Sequence, residues 1–271
     1  LRGQALELRA FFDLEEVATR NSIGIEEVNR VISSVMKGMA QVHQEFHIKE
    51  NGKGRRYGVT RHGIGSIKTP YGPFWLFNFF VNDQWKLYSV IVRGKLSAAF
   101  TPMFEHPDRI VLRIDSGCDS GQKFADITCD CRDQLLLAMQ EIAKTGEGIV
   151  INLPPQDGRG MGSPFKLATM SLQEQLRLTT VEAASILAEG GPIDKRSYAG
   201  AVAILRFFRI SKKHEIHLMT NNPHKFTVFE ENGYQTTRMP VVIPPTQHTR
   251  KHLEAKQLYL GHKDLVTGEE E

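Results

Sequence analysis

The sequence predicts an α/β fold: a mixed α+β catalytic region behind an N-terminal helical extension. Three observations predict it. Apolar residues recur at helical steps through about the first 46 positions, aromatic and β-branched runs fill about 57–114, and strand and helix patterns alternate beyond.

Leu6, Leu8, Phe11, Phe12, Leu14 and Val17 form one apolar face from Ala5 onward. After Ser22–Gly24, the residues Val28, Val31, Ile32, Val35, Met36 and Met39 continue at three- and four-residue steps. A helical hairpin reaching about Phe46 is expected, serving packing or dimerisation rather than chemistry. Residues 47–56, HIKENGKGRR, read as a polar, glycine-containing linker. The expected division is therefore 1–56, extension and linker, and 57–271, catalytic domain. The basic run from Lys53 to Arg61 reads as a solvated loop, so no nucleic-acid partner is expected.

From Tyr57 to about Ile114, turn residues separate strand-like runs, the last being DRIVLRI. DQLLLAMQEIAKTG then reads as a helix ending at Gly146, and GIVINL as a buried strand. FKLATMSLQEQLR, VEAASILAE and RSYAGAVAILRFF read as helices. EIHLMT reads as a strand and HKFTVFEENG as a further helix. The terminal TGEEE reads as frayed.

A chain of 271 residues, 41% hydrophobic and 24% charged, can bury an ordinary globular core. The net charge of +3 suits an anionic small molecule as well as a polyanion. The longest apolar run, Pro73 to Val81, is broken by Asn78 and falls short of the ~18 residues of a membrane span. The first residues lack the order of a signal peptide. A cytoplasmic protein with no membrane partner is expected.

Chemistry concentrates in four stretches. All three cysteines, Cys118, Cys129 and Cys131, fall within CDSGQKFADITCDC. An odd, clustered set argues against a secreted disulfide framework, and its polar neighbours argue against three buried hydrophobes. Zinc explains the clustering better than free or redox thiols do, since it prefers thiolate ligands. Three thiols without a histidine nearby in sequence favour a site with one open position, and the C-x-C pair needs a turn to aim both thiols at one ion. QDGRGMGSP surrounds Arg159 with Gly158, Gly160 and Gly162, which suits phosphate but equally a plain turn. In IDKRSY, Asp194 and Arg196 bracket a helix start, where Asp is most often an N-cap. In LMTNNPHK, a strand end, a turn and a helix start make an anion site with Lys225, or an ordinary loop.

Together these stretches resemble the GTP cyclohydrolase II superfamily over roughly Thr69 to His262. The family motifs R-x-H-S-E-C, C-D-C, Q-E-G-R-x-x-G, D-x-R and T-N-N-P-x-K appear in order as RIDSGC, CDC, QDGRGMG, DKR and TNNPHK. The resemblance implies a mixed α+β catalytic domain that opens a nucleotide base ring with one catalytic zinc, held by Cys118, Cys129 and Cys131. It implies Asp194 as proton acceptor and Arg196 as nucleophile toward the α-phosphate, releasing pyrophosphate. It places Arg113, Asp115, Ser116, Gln134, Asp157, Gly158, Arg159, Met170, Thr180, Thr220 and Lys225 at substrate-binding positions. Magnesium accompanying the triphosphate and a homodimer are implied as well.

The chain also departs from the family pattern. Asp115 and Gly117 stand where the family has His and Glu, and Asp157 replaces a Glu. Pro154 and Pro155 precede the glycine loop with an apparent one-residue insertion. The family's catalytic tyrosine falls on Met170, which has no hydroxyl. Relatives with methionine there stop at the formylaminopyrimidine, so loss of formate is not expected. The altered residues beside the thiols bear on which base is accepted. The expected function is zinc-dependent opening of the base of a nucleoside triphosphate, with GTP leading. A uridine nucleotide, through a branch tied to uracil catabolism, is the alternative, and a non-catalytic nucleotide-binding protein the third reading.

Overall fold

The computed structural model describes residues 13–106, 108–154 and 157–266, except for the side chains of 83–85 and 157–158. The expected face from Leu6 to Phe12 and the TGEEE end lie outside the described residues. Two helices open the described chain, α1 (Leu14–Arg20) and α2 (Ile25–Met39). Asp13 caps α1 by accepting from the Glu15 N–H at 2.9 Å. Gly38 lets α2 lie close on the sheet, since a Cβ there would meet Ile64 Cγ2 at 2.7 Å.

The helix expected to reach Phe46 stops at Met39, and Val42–Glu50 is strand β1. Its exposure alternates, with Phe46 partly covered and Ile48 buried, between exposed neighbours. Val42 and Phe46 are four apart, a step that fits both periodicities, so the helical reading ran on into the strand. The expected linker is also corrected: it forms a hairpin into β2 (Lys53–Thr69), with Glu50 opposite Lys53. Asn51 and Gly52 make the turn with φ of 53° and 73°, as an Asn-Gly pair favours. The boundary expected after residue 56 thus falls inside β2.

Strands β3 (Gly72–Val81) and β4 (Asp83–Arg93) continue an antiparallel meander. A short ribbon, β5 (Lys95–Leu96) and β6 (Pro102–Met103), follows. The other half of the sheet is parallel. It comprises β7 (Ile110–Asp115), β8 (Gly148–Asn152), β9 (Glu215–Met219) and β10 (Gln235–Met239), and the strand order is β1-β2-β3-β4-β8-β7-β9-β10. β7 is buried throughout, as a central parallel strand must be.

Between these strands run α3 (Asp119–Phe124), α4 (Cys131–Thr145), α5 (Ser163–Leu176), α6 (Thr180–Leu187), α7 (Ala199–Phe207) and α8 (His224–Glu231), and α9 (Arg250–Leu260) follows β10. α7 is the central buried helix, with Phe207 and Phe208 set edge-on to Phe77 and Phe79 at 5.0–5.4 Å. Its N-cap position is Tyr198, not Asp194. Glu50 at the end of β1 accepts the Tyr198 and Ala199 N–H groups at 2.7 and 3.2 Å and the Ser197 hydroxyl at 2.7 Å. Among the described residues no helix is long and apolar enough to cross a membrane.

In the parallel half, β8 and β9 flank β7 on opposite sides, so the chain reverses its direction of winding there. A crevice outside the carboxyl ends of the strands is the place such a sheet offers to a ligand. Asp115, Asn152 and Thr220 mark those ends.

Candidate active site

The thiols assemble as α3 and α4 begin. Cys118 precedes α3, the left-handed Ala125 ends it, and Cys131 opens α4 after the C-x-C turn. The three Sγ atoms lie within 4.8 Å of one another, and no fourth His, Cys, Asp or Glu joins the group among the described residues. Gly121 makes room for them. A Cβ there would stand 2.6 Å from Cys129 Sγ and 3.4 Å from Cys118 Sγ.

The charge state suits a cation. Hydrogen bonding from Cys129 and Cys131 holds the Cys118 thiol down against burial, and Lys166 Nζ adds to this at 3.0 Å. The same Cys118 interaction pushes Cys129 up to about 11, and Cys131 is raised as well. A bound divalent ion would replace those protons. Three thiolate donors with one side open match a zinc site that keeps a position for water.

Behind the thiols lies a buried polar chain. Arg113 donates to Gln134 Oε1 at 2.7 Å, to Asp115 at 3.3 Å and to the Met219 carbonyl at 3.0 Å. Gln134 in turn donates to Asp130, the middle residue of the C-x-C turn. Asp115 also accepts from the Gly117 N–H at 3.1 Å and from Gln122. Three of its roughly four acceptor positions are therefore taken by the protein itself.

The glycine loop and the D-x-R stretch are one unit. Residues Asp157–Gly160 form a short 3-10 turn, and the Lys195 N–H donates to the Arg159 carbonyl at 2.8 Å. Gly160 has φ +86°, and a Cβ there would strike Arg196 N and Lys195 C at 2.8 Å. Arg159 donates to the Thr180 hydroxyl at 3.1 Å. Burial, then the charge of Arg196, lowers its pKa to about 10. Asp194 accepts from Arg196 Nε at 2.9 and 3.2 Å, and from Nη2. Burial works to raise the Asp194 pKa, but the Arg196 bonds and charge outweigh it, so the carboxyl is held low. Burial likewise opposes the Arg196 charge, yet Tyr198 and Asp194 keep its pKa raised.

In the T-N-N-P turn, the Asn222 N–H is tied to the Thr220 hydroxyl at 3.0 Å. Lys225, the second residue of α8, is buried and donates to the Ile114 carbonyl at 2.6 Å. Burial, with Arg113 and Arg196 nearby, lowers its pKa well below the usual lysine range.

One cavity collects most of the expected residues. Its walls include the three cysteines, Arg113, Asp115, Ser116 and Gln134. Arg159, Thr180, Arg196, Thr220 and Lys225 line it as well. Two expected residues, Asp194 and Met170, fall elsewhere. Asp194 faces a separate hollow beside Glu50 and His224, although its partner Arg196 borders both spaces. Met170 is half-buried on α5 and does not line the cavity, whereas its neighbour Thr169 does. The side chains of Asp157 and Gly158 lie outside the described residues.

Other lining residues were missed in the sequence. Lys166 reaches Cys118 from α5, and His252, Lys256 and His262 arrive from α9 and the turn after it. The cavity thus has six basic side chains, Arg113, Arg159, Lys166, Arg196, Lys225 and Lys256, against the single carboxylate of Asp115 among the described residues. A model of the family described as GTP cyclohydrolase II matches residues 60–239. The chain belongs to the GTP cyclohydrolase II family. Within this family it is 37% identical over 197 residues to GTP cyclohydrolase-2 of Picrophilus torridus, covering 72% of this chain and 94% of that one. To GTP cyclohydrolase-2 of Streptomyces coelicolor it is 32% identical over 209 residues, 77% of this chain and 88% of that one. To riboflavin biosynthesis protein RibBA of Aquifex aeolicus it is 36% identical over 206 residues, covering 75% of this chain but only 47% of that protein. In this GTP cyclohydrolase II family chain, one cavity is bordered by three thiols that could hold a metal ion and by six basic side chains.

Proposed function

We propose that this family member is a zinc-dependent nucleotide cyclohydrolase that opens the base ring of a nucleoside triphosphate and releases pyrophosphate. GTP is the leading substrate. One observation carries the reading: three convergent thiols and six basic side chains border the same cavity. A strongly cationic pocket selects a polyphosphate.

When bound, zinc supplies a water of lowered pKa as a nucleophile at neutral pH. The chain's own residues do the rest. Arg113 and Gln134 stiffen the wall behind the thiols, and Arg159, Lys225 and Arg196 offer donors to the phosphates. For Arg196 to attack the α-phosphate, a proton must leave its guanidinium, and Asp194 is already within hydrogen-bond reach of Nε. Met170 provides no hydroxyl, so the reaction stops at the formamide. Magnesium travels with the triphosphate in this reading. Three free thiols suit a reducing compartment such as the cytoplasm. The exposed apolar residues of α2, Val31, Val35, Met36 and Met39, suit a homodimer contact.

A uridine nucleotide is the second reading. Its support is Asp115, whose carboxylate is engaged by Arg113, Gly117 and Gln122 where the family has a histidine. A pocket that loses a polar contact to one base discriminates differently among bases.

The test is incubation of the zinc-loaded protein with GTP, UTP and their monophosphates, following base absorbance, pyrophosphate and formate. Turnover of GTP to a formamide with pyrophosphate supports the first reading. Turnover of UTP alone replaces it with the second. Formate from GTP contradicts the role given to Met170, and unchanged absorbance with every nucleotide leaves a binding protein.

A further inference from the structure

The residues from Arg250 to Leu265 carry none of the five motifs, yet they bring His252, Lys256 and His262 to the cavity wall. They are firmly seated. The Lys263 N–H donates to the Asn221 carbonyl in the T-N-N-P turn at 3.1 Å. Arg238 pairs with Asp264 at 2.7 Å, and Gln257 Oε1 accepts the Leu265 and Val266 N–H groups at 3.0 Å. Leu253 and Leu265 are buried. Lys256 Nζ stands 3.6 Å from Asp130 Oδ1, which joins α9 to the turn between Cys129 and Cys131.

Seated this way, the stretch presents polar heads that the protein itself leaves unused. Neither imidazole has a hydrogen-bond partner among the described residues, although both border the cavity. Unpartnered donors and acceptors on a cavity wall are costly unless water or a ligand takes them. The charged groups bearing on His262 are Lys256, Arg196, Lys225 and Asp130. Its chain neighbour Lys263 is held by the Asn221 carbonyl of the turn that leads into Lys225, so His262 stands on the phosphate side. His252 lies one turn before Lys256 on α9, and Lys256 meets Asp130 between Cys129 and Cys131, so His252 borders the cavity on the thiol side, where a base must lie to be opened. Burial and the neighbouring cations keep both rings neutral. A neutral imidazole offers one donor and one acceptor, a pair that phosphate oxygens and base edges can both engage.

We propose that Arg250 to Leu265 is a substrate-binding element in which His262 contacts the phosphate chain and His252 contacts the base. The assignment rests on the nucleotide reading above, because it takes its two ligand ends from that reading.

The test is equilibrium binding of inorganic triphosphate, GTP and UTP to the full chain with zinc content verified. The comparison is between wild type, His262→Ala, His262→Asn, His252→Ala and His252→Asn. His262→Ala is expected to weaken triphosphate and both nucleotides about tenfold, as loss of a hydrogen bond to a charged group does. His252→Ala is expected to leave inorganic triphosphate within twofold while weakening at least one nucleotide about fivefold or more. The Asn variants keep a donor and an acceptor at nearly the same volume and are expected to recover part of the binding, which separates lost contact from lost packing. Binding of all three ligands within twofold of wild type in both Ala variants overturns the assignment and leaves the nucleotide reading standing. Equal weakening of all three ligands by His252→Ala overturns the division between base and phosphate. A wild type that binds none of the three removes the nucleotide reading and this assignment with it.

Discussion

The backbone N–H of Lys195 donates to the carbonyl of Arg159 at 2.8 Å, so the glycine loop and the Asp194–Arg196 stretch form one continuous wall. Gly160 is the hinge of that contact. Gly160→Ala must place a Cβ at φ +86° and against backbone atoms at 2.8 Å. Left-handed backbone costs a non-glycine residue about 1–2 kcal/mol before any collision. Denaturant unfolding is expected to report a loss of about 2 kcal/mol or more. kcat/KM is expected to fall at least tenfold, since Arg159 and Arg196 move apart.

The thiol set makes a second steric prediction. Gly121→Ala introduces a methyl 2.6 Å from Cys129 Sγ. The backbone of α3 tolerates alanine, so the fold is expected to persist by circular dichroism. Zinc retained after dialysis against a chelator is expected to drop well below that of wild type, and Cys129→Ser is expected to lose zinc and turnover together. Full zinc and activity in either variant would defeat the metal assignment.

Lys225 is a buried amine whose charged form is disfavoured by burial and by Arg113 and Arg196, while Asp115 is already engaged by Arg113. A charge in such a place is held for a ligand rather than for stability. Lys225→Met is therefore expected to melt no lower than wild type, while nucleotide binding weakens tenfold or more. A loss of several degrees with unchanged binding would reverse that conclusion.

Stability at mildly acid pH follows from His262. Burial first, then Lys256, Arg196 and Lys225, lower its pKa from 6.5 to about 3. Between those two values the unfolded chain binds the proton and the folded chain does not, so stability falls as pH drops below 6.5. From pH 7 to pH 5 the group's contribution is a loss of about 1–2 kcal/mol. Urea unfolding of His262→Asn is expected to show a shallower loss across that interval. Parallel pH profiles for the two proteins would refute the assignment.

Much of the site was legible because it is local. The cysteines and the T-N-N-P-x-K run sit around helix starts, Arg159 sits in a glycine-rich turn, each pattern is plain in the sequence, and the cavity unites them. Lys166, His252 and His262 were not legible. They reach the cavity through tertiary packing, and α9 buries only Leu253 and Ala255 while Leu258 and Tyr259 stay exposed, so its apolar residues mark no single face. The β1 strand was hidden for the opposite reason: Val42, Phe46 and the helix before them share a spacing that both periodicities satisfy. The Asn51–Gly52 signal was present in the sequence, but the helical reading on its left left it without a strand to turn from.

The Glu50 contacts also bear on where this protein can be cut. The stretch recognisable by kinship begins at residue 60, and the boundary suggested by composition lies at 56. A chain begun at either point would lack Glu50 and strand β1, and with them the acceptor for the first N–H groups of α7. A piece begun at or before Val42 is therefore expected to fold more stably than one begun at residue 56 or 60, a difference that thermal unfolding of the shortened chains would read.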